Sequence, residues 1–438
     1  MSRITLSTGF ESTYQPSHDQ DVMETTAHDL RWAGDLTLVR AASINIVRYP
    51  VRWHRVEASP GIFDWRHTDE VMDVHRELGL QPIVDLVHHT SYPRWLTGGF
   101  GDPSFRGAYL RYIEAFFDRY PDVTHYTLFN EPFSTLFLCG HEAVWPPYRR
   151  GLPEFVAMMR NVLPALTAAC TIAKDMVPFA AHVWVDACEH HTGDGSFGEA
   201  YAAMANDRRF FVLDAVLGGL TDDPSRPFVR QVLGDGGLSL LDLPSGHVDV
   251  VGLDYYAHCQ WHFSDEGGMA PTPYPTPLAD QIQEYADRYQ RPVAVTETNM
   301  RGTGSDRATW LKYVLGQSEI ASERGVDVRS VCWFPFIDSA DWDSLLYECV
   351  GNIDPVGVYW LDRDLARRPS SFTSSFISAS RGASAAELPA YRFQEPVATW
   401  LAGYAAHMDH WDWRSPPEVE RVADPDHYDF ELTTRHVA

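Results

Sequence analysis

The sequence predicts an α/β fold, a (β/α)8 TIM barrel, and three observations carry that expectation. Eight short apolar runs alternate with helical or mixed segments along most of the chain. Most runs are continuously apolar rather than alternating, as expected of strands buried on both faces of a parallel sheet. The chain has 438 residues, a length that one barrel with long βα loops absorbs as a single domain. The expected division is a barrel over residues 1–404 and an acidic C-terminal tail over 405–438 that packs on or beside it.

In order, the runs are Ile4–Phe10, Ile44–Val51, Gln81–His88, Thr124–Asn130, Phe179–Val185, Val248–Tyr255, Pro292–Thr296 and Val328–Phe336. Between the third and fourth, Tyr109, Tyr112, Ile113, Phe116 and Phe117 recur at helical spacing and form a stripe suited to packing on a sheet. Val71, Val74 and Leu78 repeat this more weakly ahead of Gly79, a fitting helix C-cap. Gly325 similarly closes a helix that starts near Ser305. The stretch from Asp186 to His247 is long for one βα connection, and predicts a helix plus an excursion over the barrel mouth. A doubly wound open sheet is the alternative fold. It normally has a glycine-rich turn after its first strand, and here that segment reads Gly9-Phe10-Glu11-Ser12-Thr13-Tyr14-Gln15.

Charge and composition exclude several classes of function. A formal charge of −25 repels nucleic acid and anionic membranes, so neither is an expected partner. No apolar stretch approaches the length of a membrane span. Lysine occurs only at Lys174 and Lys312, neither at a strand end, which removes Schiff-base chemistry. The six cysteines include no Cys-x-x-Cys and read as buried free thiols in a reducing compartment. The N-terminus has no apolar leader core, so the expected location is the cytoplasm. His88 and His89 are adjacent in a strand, which would send their rings to opposite faces. With no His-x-His on a strand, neither a metal nor any other cofactor is expected.

Barrels of this kind place their active sites at the C-terminal ends of the strands. The ends of these eight runs deliver a polar, acidic and aromatic ring: Gln15, Arg48, His88, His89, Asn130, Glu131, Asp254, Tyr256, Glu297, Trp333, Asp341 and Trp342. Such a ring suits a neutral polyhydroxylated ligand. Two of the runs end in a glutamate, Glu131 and Glu297. A carboxylate at the end of a buried strand is costly unless it is paired or does chemistry. Two of them, on strands far apart in sequence, are what a retaining glycosidase uses: one as the acid on the leaving oxygen, the other as the nucleophile on the anomeric carbon.

At these residues the chain resembles glycoside hydrolase family 1. Thr13-Tyr14-Gln15 looks like that family's first-strand sugar-binding glutamine, and the segment from Val47 to Arg55 like its second-strand Phe-Arg-x-Ser-x-x-Trp-x-Arg. Leu86-Val87-His88 with Pro93-Arg94-Trp95-Leu96 is similar to the His-Trp-x-x-Pro-x-Trp-Leu segment. Leu128-Phe129-Asn130-Glu131-Pro132 matches the acid/base motif, and Val295-Thr296-Glu297 matches the nucleophile strand. Val251-Gly252-Leu253-Asp254-Tyr255-Tyr256 is similar to Gly-Ile-Asn-Tyr-Tyr, with Asp254 in place of Asn. Trp333 through Trp342 resembles the last strand with its Glu-Trp pair, Asp341 standing for the Glu and His89 for a Trp earlier in the chain.

The resemblance implies Glu131 as general acid and then base, and Glu297 as nucleophile. Arg48, Asn130 and Tyr256 would support them, and Gln15, His88, His89, Asp254, Trp333, Asp341 and Trp342 would bind substrate. It also implies hydrolysis of a β-linked sugar from a small glycoside or oligosaccharide. A barrel that binds carbohydrate without catalysis, and a transglycosidase using the same pair, are the alternatives. The segment Asp338-Ser339-Ala340-Asp341-Trp342-Asp343-Ser344 offers three Asp and no Lys, which favours a neutral sugar over a 6-phosphorylated one. The sequence says nothing of oligomeric state.

Overall fold

A computed structural model describes residues 4–417. Each of the eight apolar runs contributes one strand of a closed parallel barrel: β1 (Thr5–Gly9), β2 (Ile46–Pro50), β3 (Gln81–Asp85), β4 (His125–Thr127), β5 (Ala181–Ala187), β6 (Val250–Asp254), β7 (Val293–Thr298) and β8 (Val328–Trp333). Each strand pairs with the next in sequence, and β8 returns to β1, with Trp333 opposite Thr8. Most strands are shorter than their runs because the chain leaves the ladder before its apolar character ends, whereas β5 and β7 continue past theirs to Ala187 and Thr298. In β4 the ladder stops at Thr127, yet Asn130 keeps a single bridge to His88 beyond β3. That bridge sets two pocket residues side by side above the barrel.

Around the barrel lie α1 (His28–Ala41), α2 (Arg66–Leu78), α3 (Phe105–Arg119), α4 (Leu152–Met176), α5 (Phe211–Val216), α6 (Leu278–Tyr289), α7 (Gly304–Glu323) and α8 (Ser371–Ser380). The stripe expected on α3 is buried in full: Tyr109, Tyr112, Ile113, Phe116 and Phe117. Gly79 closes α2 at φ 64°, the left-handed geometry in which glycine carries no side-chain penalty. Thr303 and Asp306 cap the start of α7 reciprocally, and Gly325 follows its end at φ 99°.

The helix α4 differs from expectation. Over 25 residues it is long and apolar enough to cross a membrane, a length the sequence reading did not anticipate. Here its apolar residues, Phe155, Val162, Leu163 and Leu166 among them, are buried in the helical layer.

The excursion between β5 and β6 is larger than expected. It contains the helices Gly195–Arg208, α5 and Pro227–Gly234, and a small sheet joins Thr192–Gly193 to Trp261–Phe263 and Met269–Pro271. Of the stretch expected as a tail, residues 405–417 are described, and Met408 is buried there. Just ahead of it Tyr404, also buried, stands edge-on to Trp310 and Tyr313 of α7. Trp413–Arg414 pairs in parallel with Ala390–Tyr391. The rest of the 405–438 expectation lies outside the described residues.

Candidate active site

Inside the upper barrel a chain of alternating charges runs from β1 to β7. Arg48, fully buried on β2, is its centre. Its Nη1 donates to Glu297 Oε1 at 2.5 Å, and its Nη2 donates to Asp85 Oδ2 and Asn130 Oδ1, both at 2.7 Å. Asp85 in turn meets His88 Nδ1 at 2.8 Å, and His88 Nε2 faces Glu11 Oε1 at 3.3 Å. Burial works against charge on the His88 ring, but the Glu11 and Asp85 charges outweigh it and raise its pKa to about 10. Burial likewise pushes the Glu11 carboxyl up, and the His88 charge and hydrogen bond overcome it and bring it down to about 2. The order is therefore Glu11, His88, Asp85, Arg48, Glu297, each neighbour of opposite sign. Removing either cation would leave a buried carboxylate without its ion partner, Glu11 in the case of His88 and Glu297 in the case of Arg48.

Glu297 ends the fully buried strand β7, and its second oxygen accepts a 2.7 Å hydrogen bond from Tyr256 Oη. Glu131 sits across the mouth. It takes the left-handed conformation at φ 43° at the start of the helix Pro132–Gly140, while its backbone N–H donates to Val185. Such a conformation costs a non-glycine residue about 1 kcal/mol or more and is typical of functional positions. Burial first, then the charges of Glu297 and Asp186, raise the Glu131 carboxyl well above the ordinary range. Asp254, at the end of β6, is held up in the same way by burial, Glu297 and Glu131.

One oxygen from each of Glu131, Asp254 and Glu297 lies within 4.8 Å of the others. Three carboxylates this close have the donor chemistry of a hard cation site. Here Arg48 already supplies the counter-charge to Glu297, and the other two side chains favour the neutral form.

The structure brings most of the expected residues to this pocket and corrects the roles of others. Gln15 is buried with neither amide atom hydrogen-bonded to protein, so both are free to meet a ligand. Trp342 Nε1 also lacks a protein partner. His88 and His89 do not diverge: β3 ends at Asp85, and His89 turns through φ 47°, so both rings stay at the mouth with centroids 4.7 Å apart. The alternation rule fails because it applies only while the chain remains a strand. His89 lies 3.3 Å from the Asn130 amide, and burial followed by the His88 charge lowers its pKa to about 3.

Two expected substrate residues are reassigned. Trp333 points away from the pocket. Its ring packs on Phe372 of α8 with a centroid distance of 4.2 Å, and its Nε1 donates to Val356 O. The next residue, Phe334, faces the pocket instead, 5.2 Å from the Arg48 guanidinium and 5.6 Å from the His88 ring. Gly9 makes room for it, since a Cβ there would come within 2.7 Å of the Phe334 ring. Asp341 is the second correction. Oδ1 accepts the N–H groups of Val350 and Asn352, and Oδ2 accepts those of Gly351 and the Gln20 side chain. Its carboxylate organises the loop after β8 and is not left to receive sugar hydroxyls.

Sequence reasoning missed Glu11, Asp85, Asp186 and Phe334. Phe334 follows directly on Trp333, the last residue of β8, so its aromatic type was legible in the sequence but its facing was not. Trp53 is core, stacked on Tyr112 with its Nε1 donating to Glu57.

The fold is that of known glycosidase structures. A beta-glucosidase from Thermotoga maritima in complex with cyclophellitol aligns at 17% identity with a TM-score of 0.72, covering 86% of this chain and 96% of the other. The same organism's enzyme in complex with N-octyl-5-deoxy-6-oxa-N-(thio)carbamoylcalystegine aligns at 17% and 0.72, with coverage of 87% and 98%. A structure described as a family 1 b-glucosidase from Thermotoga maritima aligns at 18% and 0.68, with coverage of 82% and 88%. No curated protein sequence matches the chain. The model for glycosyl hydrolase family 1 matches residues 10–272, more than half of the sequence and all of the acid/base region. On that match, on the closed eight-stranded barrel and on the carboxylate pair at its mouth, the chain belongs to glycosyl hydrolase family 1 and is a glycosidase.

Proposed function

We propose that the enzyme is a retaining β-glycosidase that releases a neutral sugar by double displacement. Glu131 acts as acid and then base, and Glu297 as nucleophile. The observation that carries this reading is the asymmetry of the pair. Glu297 is ion-paired with Arg48 and hydrogen-bonded by Tyr256, while the basic group beside Glu131, the His89 ring at 4.0 Å, is uncharged, and burial and Glu297 itself keep Glu131 protonated. Environments that set two carboxyls apart in this way assign acid and nucleophile. Their closest oxygens lie within 4.8 Å, which suits direct attack on the anomeric carbon rather than attack through an intervening water.

In the first half-reaction a Glu297 oxygen bonds to the anomeric carbon as the glycosidic C–O bond breaks. The Glu131 proton passes to the leaving oxygen. In the second, Glu131 takes a proton from water as its oxygen displaces Glu297. Asn130 is fixed by Arg48 through its carbonyl oxygen and has His89 Nε2 3.3 Å from its amide nitrogen, whose second hydrogen holds a sugar hydroxyl beside the reacting carbon. Gln15, His88, His89, Phe334 and Trp342 line the rest of the sugar site. The thermotogal structures whose descriptions name beta-glucosidase and sugar-like inhibitors support a β-linked hexose as the first substrate to try.

A neutral sugar follows from charge. The cations facing the pocket, Arg48 and His88, are each already bracketed by two carboxylates, so neither is available to a phosphate. A panel of aryl β-glycosides over gluco, galacto, fuco and xylo sugars, with product anomers read by NMR, tests the proposal. Retained configuration supports it, and inversion or preference for the 6-phosphate overturns it. A 2-fluoro glycoside trapped on Glu297 and located by mass spectrometry tests the nucleophile directly.

A further inference from the structure

We propose that Asp254 works as a neutral acid, a hydrogen-bond donor lodged between Glu131 and Glu297 that follows the negative charge as it moves from one to the other. The inference rests on the acid and nucleophile roles proposed above. Its footing is geometric. Asp254 is wholly buried at the end of β6, directly opposite Glu297 in the β6–β7 ladder. One of its oxygens lies within 4.8 Å of both Glu131 and Glu297. Oδ1 accepts the Thr296 hydroxyl at 2.8 Å, and among the described residues no donor reaches buried Oδ2.

The charges around it leave Asp254 no ionised option. Arg48 is the cation that reaches it, and Arg48 is already committed to Glu297 and Asp85. The other titratable groups around it are Glu131 beyond β4, Glu297 on β7, Tyr256 on its own segment, Cys188 after β5 and Cys332 on β8, none of them a cation. A carboxylate there would be buried, unpaired and next to an anion, so it keeps its proton. Burial and the neighbouring carboxyls act in that same direction on its pKa.

A protonated carboxyl at this point has a use in each half-reaction. Before attack the negative charge is on Glu297. After Glu131 has protonated the leaving oxygen and Glu297 has bonded to the sugar, the charge is on Glu131. Net charge in the pocket is unchanged and its position has crossed Asp254. A neutral donor within reach of both ends stabilises either arrangement, whereas an ionised one would oppose both. This makes Asp254 a positioning residue, acting through the two glutamates.

The test pairs a spectroscopic readout with kinetics. Infrared difference spectra of wild type against Asp254→Asn at neutral pH should contain the carbonyl band of an un-ionised carboxylic acid, shifted in deuterium oxide and lost in the variant. Glu131→Gln is run alongside to separate the two bands. Asp254→Asn, a neutral donor of the same shape, should keep kcat/KM within about tenfold. Asp254→Ala, which leaves no donor, should lose about 100-fold or more. Two results each overturn the inference: a carboxylate band in place of the acid band, or Asp254→Asn falling as far as Asp254→Ala. The infrared result does not depend on turnover. If wild type cleaves no glycoside yet the acid band is present, it is the proposed catalytic reading that fails.

Discussion

Glu131, Asp254 and Glu297 on one side of the barrel mouth, and Asp338 and Asp341 in the loop after β8, differ in what their oxygens accept. Among the described residues, no backbone N–H reaches the side-chain oxygens of the first three. Their partners are side chains: Arg48 and Tyr256 for Glu297, and the Thr296 hydroxyl for Asp254. The loop pair is held mainly by main chain, with the Gln20 amide added at Asp341 and Arg307 3.7 Å from Asp338. Asp338 takes the N–H groups of Val356, Gly357 and Leu361, and Asp341 those of Val350, Gly351 and Asn352. Glu131 keeps some exposure at the mouth, and the other four acids are buried. One set is left with capacity for chemistry, while the other spends its capacity holding a loop in shape.

The sharpest way to break this division is at Glu297. Glu297→Gln should lose several orders of magnitude in kcat on an aryl β-glycoside while circular dichroism stays native, because the amide keeps the shape but cannot attack. Retention of more than a few per cent of activity would move the nucleophile elsewhere. Glu131→Ala should cost about 100- to 10,000-fold on substrates with poor leaving groups. An activated leaving group departs without an acid, so azide should restore turnover there and yield a β-glycosyl azide. Azide without effect would remove Glu131 from the acid/base role.

A loop acid should behave differently. Asp341→Ala removes the acceptor of three backbone N–H groups and loosens the loop that carries Trp342. Val350, Gly351 and Asn352 are exposed, so water replaces part of what is lost, and the cost is about 1 kcal/mol for each hydrogen bond. The expected result is a lower melting temperature and a similar, modest loss on every sugar of the panel. A loss confined to sugars that differ at C4 or C6 would instead make Asp341 a direct ligand.

The barrel was legible in the sequence because eight buried strands leave eight apolar runs, and a run survives errors of two or three residues at its ends. The carboxylate pair was legible for a related reason: a glutamate that closes an apolar strand has no ordinary explanation. What escaped was direction. Trp333 and Phe334 are equally aromatic, and which one enters the pocket is decided by the strand's facing. His88 and His89 converge only because the chain turns to φ 47° at His89. Asp341 looked like a sugar ligand because nothing in its own sequence announces that residues 350–352 fold back onto it. Position along the chain carries type and spacing; these three outcomes depend on where a loop returns.

The smallest expected effect is in pH dependence, and it separates acids held by titrating side chains from acids held by main chain. His88 has its pKa raised to about 10, so its stabilising charge is fully present below about pH 6.5 and is lost as pH rises toward 10. Glu11 is lowered to about 2, so its contribution is present above about pH 4.5 and is lost as pH falls through 2. The Glu11–His88–Asp85 segment should therefore be firmest between about pH 4.5 and 6.5. Asp338 and Asp341 have amide partners that do not titrate, so the loop gains no slope from them in the alkaline range. Melting temperature measured from pH 6.5 to 9 should decline in wild type, and decline less in His88→Gln, which starts lower because Asp85 and Glu11 have lost a charged partner. Asp341→Ala should start lower too, yet keep the wild-type slope. Equal slopes in wild type and His88→Gln would mean that His88 is uncharged in the folded protein, and the alternating chain of charges would end at Asp85.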